Sequence, residues 1–88
     1  MPKYNVAFTG KAQKDLERIP DDEADRILRA CIRLRSNPNP DGKHVKKLQG
    51  YENLYRLRVG DYRIVFEWSG DDVAVVRLLT RQDFGKRY

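Results

Sequence analysis

The stretch "LYRLRVGDYRIVFEW", residues 54–68, decides the fold, because two runs of alternating apolar and polar residues flank the pair Gly60-Asp61. Alternation with a period of two is typical of β-strands that bury one face. Glycine at the first position of a two-residue turn suits a type II′ hairpin. The stretch therefore predicts two antiparallel strands, over 54–59 and 62–68.

The turn also predicts which residues lie opposite each other, with Val59 facing Tyr62 and Arg58 facing Arg63. Side chains alternate across a strand, so one face of the hairpin collects the apolar residues. These are Tyr55, Leu57, Val59, Tyr62, Ile64, Phe66 and Trp68. The other face carries Arg56 together with Arg58 and Arg63. A slip of one residue would turn arginines into the core, so the apolar residues fix this register.

The residues before the hairpin predict a strand and two helices. Alternation over 3–8 indicates the strand, and Thr9 is a suitable N-cap for a helix over 10–19 that Pro20 ends. We expect Asp21 and Asp22 to cap a second helix, which has an apolar stripe ending near Leu34.

The remaining elements follow a loop. The segment "SNPNPDG", residues 36–42, is rich in turn-forming residues. The basic segment "KHVKKLQG", residues 43–50, predicts a brief strand or an extended lead-in, and the last strand is predicted over 73–79. The order β-α-α-β-β-β predicts an α+β fold in which two N-terminal helices pack on one face of a largely antiparallel sheet.

Length and composition predict one domain, spanning 1–88. The single cysteine, Cys31, excludes an intramolecular disulfide, and its place on the apolar side of the second helix predicts a buried thiol. There is no apolar run of the kind found in signal peptides or membrane spans, so we expect a cytoplasmic protein.

The chain carries a net charge of +5, and the excess is uneven. Residues 1–42 contain eight basic and seven acidic side chains, whereas residues 43–88 contain ten and six. A basic balance favours a polyanion or an acidic protein as the partner, although it also serves ordinary solubility.

Arg56, Arg58 and Arg63 need an explanation, because like charges facing each other across two strands destabilise a sheet. One interpretation is a phosphate clamp, since guanidinium groups offer planar, bidentate donors to phosphate oxygens. The alternative is that long arginine stems simply cover a wet face, with Glu67 neutralising part of the charge.

Other side chains extend the candidate site. Arg81 follows the last strand, and Tyr88 could stack on a base or share in proton transfer. Six more basic residues are candidates for RNA binding: Lys43, Lys46, Lys47, Arg77, Lys86 and Arg87. With one histidine, His44, and one cysteine, a typical metal site or serine triad is not expected, and no phosphate-binding loop is present. We therefore expect no metal and no cofactor.

The segment "KKLQGYENLYRLRVGDYRIVFEW", residues 46–68, resembles the signature of the RelE/ParE superfamily of bacterial and archaeal toxins. The resemblance extends from the opening strand to "TRQD" at residues 80–83. On the RelE side it implies a metal-independent, ribosome-dependent endoribonuclease, in which the RNA 2′-hydroxyl attacks the neighbouring phosphate in the decoding site. By position, Arg56 and Arg58 match basic site residues, Arg63 matches a phosphate-binding arginine, and Arg81 matches a basic residue after the last strand.

The chain departs from its relatives at two places. Some have lysines where this chain has Arg56 and Arg58, and arginine is a poor general base, so a role in electrostatic stabilisation is expected. Many have a tyrosine where this chain has Gly85, and Tyr88 could replace it only if the tail folds back. The resemblance also implies an acidic antitoxin as partner. Two alternatives are a ParE-like inhibitor of DNA gyrase without nuclease activity and an inactive nucleic-acid-binding module.

Overall fold

The structure, a computed structural model, describes residues 3–88 and contains eight elements. In chain order these are β1 (Asn5–Phe8), α1 (Gly10–Glu17), α2 (Asp21–Arg33), β2 (Val45–Lys47), β3 (Leu54–Val59), β4 (Tyr62–Ser69), β5 (Asp72–Thr80) and α3 (Arg81–Arg87). The predicted α+β class and the β-α-α-β-β-β order are confirmed. The lead-in forms the short strand β2, and α3 is an addition that the sequence analysis did not predict.

The five strands form one sheet in the order β1-β5-β4-β3-β2. β1 runs parallel to β5, and the other neighbouring strands are antiparallel. The predicted hairpin register is confirmed, from Val59 opposite Tyr62 to Tyr55 opposite Phe66. Gly60 has a φ of 56° and Asp61 does not have a positive φ, which fits the predicted type II′ turn because type I′ requires both to be positive.

The main core lies between the sheet and the two N-terminal helices. The hairpin contributes Leu57, Ile64 and Phe66, and α2 contributes Ile27 and Cys31. Fully burying a side chain such as Phe66 contributes about 1.5–3 kcal/mol. Burial also raises the pKa of Cys31 to about 12, so its thiol stays neutral and behaves as the predicted buried apolar group.

The two helix starts differ in how they are capped. Thr9 is the N-cap of α1, as predicted, and its hydroxyl accepts the N–H of Ala12 at 3.3 Å. The predicted cap of α2 was wrong: Pro20 is the N-cap, and its carbonyl accepts the N–H of Ala24 at 2.8 Å. Asp21 and Asp22 therefore lie inside the first turn, where their charge still favours the positive end of the helix dipole.

A β-bulge in β5 decides where Arg77 points. Strict alternation over the strand would place Arg77 on the core face with Val75. Instead the register shifts between Val65 and Phe66, so that Val65 faces Arg77 while Phe66 faces Val75. The extra residue, Val76, moves Arg77 to the opposite face of the sheet.

The C-terminal helix α3 lies against β4 and β5. Its N-cap is Thr80, whose hydroxyl accepts the N–H of Asp83 at 3.1 Å. Val65 and Leu79 are buried but stand apart from the main core, which places α3 over the sheet face opposite α1 and α2. Within residues 3–88, no helix has the length and apolarity needed to cross a membrane.

Candidate functional site

The arginine cluster consists of Arg56, Arg58, Arg63 and Arg81, on the sheet face opposite α1 and α2. The first three lie on the hairpin, with Arg58 directly opposite Arg63. Arg81 begins α3, and its N–H donates to the carbonyl of Asp61 in the hairpin turn at 2.7 Å. The positive charges of the other three arginines all act on Arg63, so the fold brings the four predicted residues together.

The main chain of the hairpin turn holds Arg63 in place. Its Nη1 donates to the carbonyl of Gly60 at 2.9 Å and to that of Tyr62 at 3.0 Å. A guanidinium has five N–H donors in a fixed plane, so the others remain for an anionic ligand. This anchoring fixes the side chain without neutralising it.

A loop built on Asp41 holds Arg56. The Oδ1 atom of Asp41 accepts the N–H groups of Lys43, His44 and Val45 at 2.8, 2.7 and 2.9 Å. Those three hydrogen bonds lower the pKa of Asp41 below its usual range, and the bond from Val45 has the largest effect. The charge of His44 acts in the same direction. In this loop the carbonyls of Lys43 and His44 accept Arg56 Nη1 at 3.4 and 3.1 Å.

Burial and mutual repulsion act together on the cluster. Burial, followed by the charges of Arg56, Arg58 and Arg81, lowers the pKa of Arg63. Burial and the charge of Arg58 likewise lower the pKa of Arg56, against an opposing effect of Asp41. Arginine stays protonated in proteins even so, and the cluster carries its full positive charge near neutral pH.

No carboxylate forms an ion pair with the cluster in the part of the chain that the structure describes. Glu67 is exposed and has no ion-pair partner among the arginines, so the neutralisation considered in the alternative interpretation does not occur there. The charges of Asp41 and Asp61 offset part of the repulsion at Arg56 and Arg63, but no described carboxylate pairs with the cluster. An anionic ligand would relieve the repulsion that remains.

An aromatic cluster of Tyr51, Phe84 and Tyr88 includes the end of the tail. Phe84 and Tyr88 stack with ring centroids 5.4 Å apart, and Tyr51 lies 5.6 Å from Tyr88 at a tilt of 57°. The tail thus folds back over the sheet, and Tyr51 and Tyr88 are 42% and 40% exposed. The sequence analysis missed Tyr51 and Phe84, although the pair Thr80 and Asp83 is a helix-start signal that could have placed this tail.

The predicted basic residues of the lead-in lie on different faces. Lys46 is directly opposite Arg56, so it shares the arginine face, whereas Lys47 is opposite Tyr55 and shares the other face. Lys43 lies in the preceding loop, where its contribution to the cluster is its carbonyl. Of the three lysines, Lys46 is best placed to extend the cluster.

Arg77 differs from the cluster because it is already paired. Its Nε donates to Asp15 Oδ2 at 2.8 Å, and the same oxygen accepts the N–H of Leu78 at 2.9 Å. Burial opposes the ionisation of Asp15, but these bonds and the positive charge of Arg77 outweigh it and lower its pKa. The pair ties α1 to β5.

The two predicted basic residues of the tail, Lys86 and Arg87, are exposed in the last turn of α3.

Comparisons with known proteins converge on one group. A family model described as the ParE toxin of the type II toxin-antitoxin system, parDE, matches residues 6–83. The chain is 40% identical over 81 residues to toxin RelE3 of Methanocaldococcus jannaschii, covering 88% of this chain and 90% of the relative. Among solved structures it is similar to the RelB-RelE antitoxin-toxin complex from Methanococcus jannaschii, with a TM-score of 0.77, 33% identity and coverage of 94% and 99%. It is also similar to the archaeal RelE-RelB complex from Pyrococcus horikoshii OT3, with a TM-score of 0.75, 31% identity and coverage of 90% and 96%.

Proposed function

The chain belongs to the RelE/ParE superfamily of toxins from type II toxin–antitoxin systems, and on that premise we propose that it is an endoribonuclease that cuts mRNA and inhibits translation. The observation that carries this proposal is the arginine cluster, four guanidinium groups on one face of the sheet that have no ion-pair partner among the described residues. Two of them are oriented by main-chain carbonyls, as a preformed anion site requires.

The reaction proposed is attack of the RNA 2′-hydroxyl on the adjacent phosphorus. The new O–P bond forms as the bond to the 5′-oxygen breaks, which leaves a 2′,3′-cyclic phosphate and a 5′-hydroxyl. Negative charge grows on the phosphoryl oxygens in the transition state, and Arg56 and Arg63 bind those oxygens. Arg58 and Arg81 add positive charge from either side and need no metal ion to do so.

The proton of the 2′-hydroxyl passes to water, because arginine is a poor base, and water supplies a proton to the 5′-oxygen as its bond to phosphorus breaks. Charge stabilisation by the cluster is therefore the main contribution of the protein to catalysis. We assign Tyr88 to base stacking, since its ring lies against Phe84 and Tyr51 and remains 40% exposed. Unpaired bases stack on aromatic side chains of this kind.

The substrate is mRNA in the decoding site of the ribosome, and an acidic antitoxin is the protein partner. Relatives solved as toxin–antitoxin complexes support the second part. A basic chain attracts an acidic protein, and the charge of the arginine face raises the rate of association. Lys43, Lys46, Lys86 and Arg87 remain candidates for contacts to flanking RNA, whereas the ion pair with Asp15 assigns Arg77 to the fold.

A second candidate is a toxin that inhibits DNA gyrase without cutting nucleic acid. The description of the matching family, which names ParE, favours it. The arginine cluster also contains no carboxylate or imidazole that could act as a general base for RNA cleavage. The superfamily fold serves both activities, so the fold does not decide between them.

Primer extension on cellular mRNAs, soon after induction in a bacterial host, tests the nuclease. The unaltered chain should produce new 5′ ends inside translated regions, and Arg63→Ala should abolish them and restore growth. Arg35→Ala, which removes an exposed arginine outside the cluster, is the matched control and should cleave normally. Growth arrest with intact mRNA and failing DNA replication would favour the gyrase inhibitor instead. A folded Arg63→Ala protein that still cleaves would refute the assignment of the cluster.

A further inference from the structure

The hairpin turn supports half of the arginine cluster through three successive main-chain carbonyls. Those of Gly60 and Tyr62 accept Arg63 Nη1 at 2.9 and 3.0 Å. The carbonyl between them, that of Asp61, accepts the N–H of Arg81 at 2.7 Å. Because Nη1 is bound to the turn, Nε and Nη2 form the edge of the Arg63 guanidinium that can hold a phosphate with two parallel hydrogen bonds. The orientation of the turn therefore sets the direction of that edge.

Tyr62 connects this turn to helix α2 on the other side of the sheet. Its hydroxyl donates to Oε2 of Glu23 at 2.7 Å, across 39 positions of sequence. Glu23 lies in the first turn of α2, and both side chains are half-buried. The hydrogen bond to Glu23, followed by burial and the charges of Glu23 and Asp61, raises the pKa of Tyr62. The phenol thus stays protonated and remains a donor.

Glu23 has a cationic alternative to this partner. The same helix borders a basic groove between α2 and β3, which we call the α2 groove, with a volume of about 570 Å³. Its floor is formed by four buried apolar residues, Ala30, Leu34, Val45 and Leu57. Its rim carries four arginines, Arg26, Arg29, Arg33 and Arg58. Arg26 follows Glu23 by three residues, a spacing that permits an ion pair, yet Glu23 forms none among the described residues. Its carboxylate is bound to the tyrosine.

The start of α2 does not need Glu23 for its own stability. Asp21 and Asp22 lie in the same helical turn and are exposed, so they already supply negative charge at the positive end of the helix dipole. Tyr62, in contrast, has two separate contacts. Its hydroxyl binds α2 and its carbonyl binds Arg63, so this one residue links the position of the helix to that of the arginine.

We propose that Glu23 and Tyr62 are positioning residues for Arg63. Their hydrogen bond holds the hairpin turn against α2, and the turn directs the free edge of the Arg63 guanidinium toward the phosphate. The inference rests on the proposed function, which supplies the phosphate as the ligand. It gives a role in the reaction to two side chains that lie on the opposite side of the sheet and do not touch the RNA.

The test removes the hydrogen bond from either end. Tyr62→Phe deletes the donor and Glu23→Leu deletes the acceptor, whereas Glu23→Gln keeps an acceptor oxygen and should preserve the arrangement. Tyr55→Phe is the matched control, because it removes the hydroxyl of another half-buried tyrosine on the same face of the hairpin. Urea unfolding separates a loss of stability from a loss of position.

Two measurements report on Arg63. In cleavage of a short mRNA on programmed ribosomes, Tyr62→Phe and Glu23→Leu should each lower kcat about 10- to 100-fold, with KM changed less than about threefold. The double variant should lose no more than either single variant, since both remove the same contact. In NMR spectra, inorganic phosphate should shift the Nε–H signal of Arg63, and both variants should need about tenfold more phosphate for the same shift. Glu23→Gln and Tyr55→Phe should match the unaltered chain.

Three results would overturn the proposal. One is a folded Tyr62→Phe protein with unchanged kcat and phosphate titration, which would leave the bond as a simple tie between α2 and the sheet. Another is an equal loss in Glu23→Gln and Glu23→Leu, which would assign the effect to the charge of Glu23. The third is an Arg63 signal that phosphate does not shift in the unaltered chain. If that chain binds phosphate but does not cleave mRNA, the proposed nuclease fails and the titration alone decides whether Glu23 and Tyr62 position Arg63.

Discussion

The arginine cluster and the α2 groove carry the same kind of charge in different surroundings. In the cluster, Arg56 and Arg63 are fixed by main-chain carbonyls, and an aromatic cluster lies on the same face. In the groove, the arginines of α2 are exposed on a helix, and the surface between them and β3 is apolar.

The difference indicates that the groups around an arginine decide which ligand it binds, because the charge of the guanidinium is the same on both surfaces. Rigid guanidinium groups beside aromatic rings suit a phosphate flanked by unpaired bases. Exposed arginines above an apolar floor suit carboxylates on a segment that also buries side chains.

Arg58→Gln should have the largest effect, because Arg58 is the one residue common to both surfaces. We expect mRNA cleavage to fall about 100- to 1,000-fold, as when one donor to a transition-state oxyanion is removed. Binding of the adjacent gene product, which the proposed function identifies as the antitoxin, should weaken by about tenfold through loss of a rim charge. Quantitative primer extension and titration calorimetry measure the two. Arg26→Gln, confined to the groove, should change only the second, and a similar pattern for Arg58→Gln would contradict the shared role.

Asp15→Asn tests the role of Arg77, the arginine that pairs with Asp15 and is therefore not available to an anionic ligand. The ionised Asp15 is favoured in the folded protein, so it contributes stability above its ordinary pKa of about 3.9, which is lost as the pH falls through its lower folded-state pKa. We expect the variant to lose about 1–3 kcal/mol of unfolding free energy at pH 7. Its stability should also decline less than that of the unaltered chain as the pH drops below 4. Urea unfolding at several pH values measures both.

Asp25→Asn is the control for that experiment, since the Asp25–Arg29 pair is a surface ion pair with side chains 59% and 76% exposed. Such pairs contribute only about 0–1 kcal/mol. An equal loss of stability in both variants would mean that the Asp15–Arg77 pair is no more important than a surface contact.

Tyr51→Leu should have a smaller effect than Arg58→Gln and should affect only the binding of RNA. Removing one stacking surface costs on the order of tenfold in affinity for a single strand. Tyr51→Phe keeps the ring and should bind oligouridylate like the unaltered chain, and both variants should bind the adjacent gene product normally. Fluorescence anisotropy measures the affinities. Weakened binding in Tyr51→Phe as well would indicate that the hydroxyl, and not the ring, makes the contact.

The hairpin could be predicted from sequence because its two requirements agree. The pair Gly60-Asp61 indicates a tight turn, and alternation on both sides places seven apolar residues on one face, so the register of Arg58 and Arg63 followed directly. Only Leu54 and Val65, among the apolar residues of the hairpin, lie on the arginine face. Strand β5 lacks that agreement. Its Val75-Val76-Arg77 run breaks the alternation, and only pairing with β4 shows which residue the bulge accommodates.

The part of the site outside the hairpin could not be predicted from sequence in the same way, because it depends on contacts between residues far apart in the chain. The meeting of Tyr51 and Tyr88 requires α3 to fold across the sheet, and the sequence offered only the cap at Thr80 as a sign of it. The pairing of Arg77 with Asp15 needs α1 to lie beside β5. The groove between α2 and β3 likewise forms only once α2 is packed beside β3, so no local pattern could reveal it.

The loop that holds Arg56 has a consequence for how such proteins diversify. The acceptors are the carbonyls of Lys43 and His44, and every amino acid supplies a carbonyl. The side chain at 43 can thus change without loosening Arg56, whereas that of His44 contacts Asp41, which keeps the loop closed, with Nδ1 3.6 Å from Oδ2. Because His44 also lines the groove between α2 and β3, a substitution at this position would change both the loop and the lining of the groove.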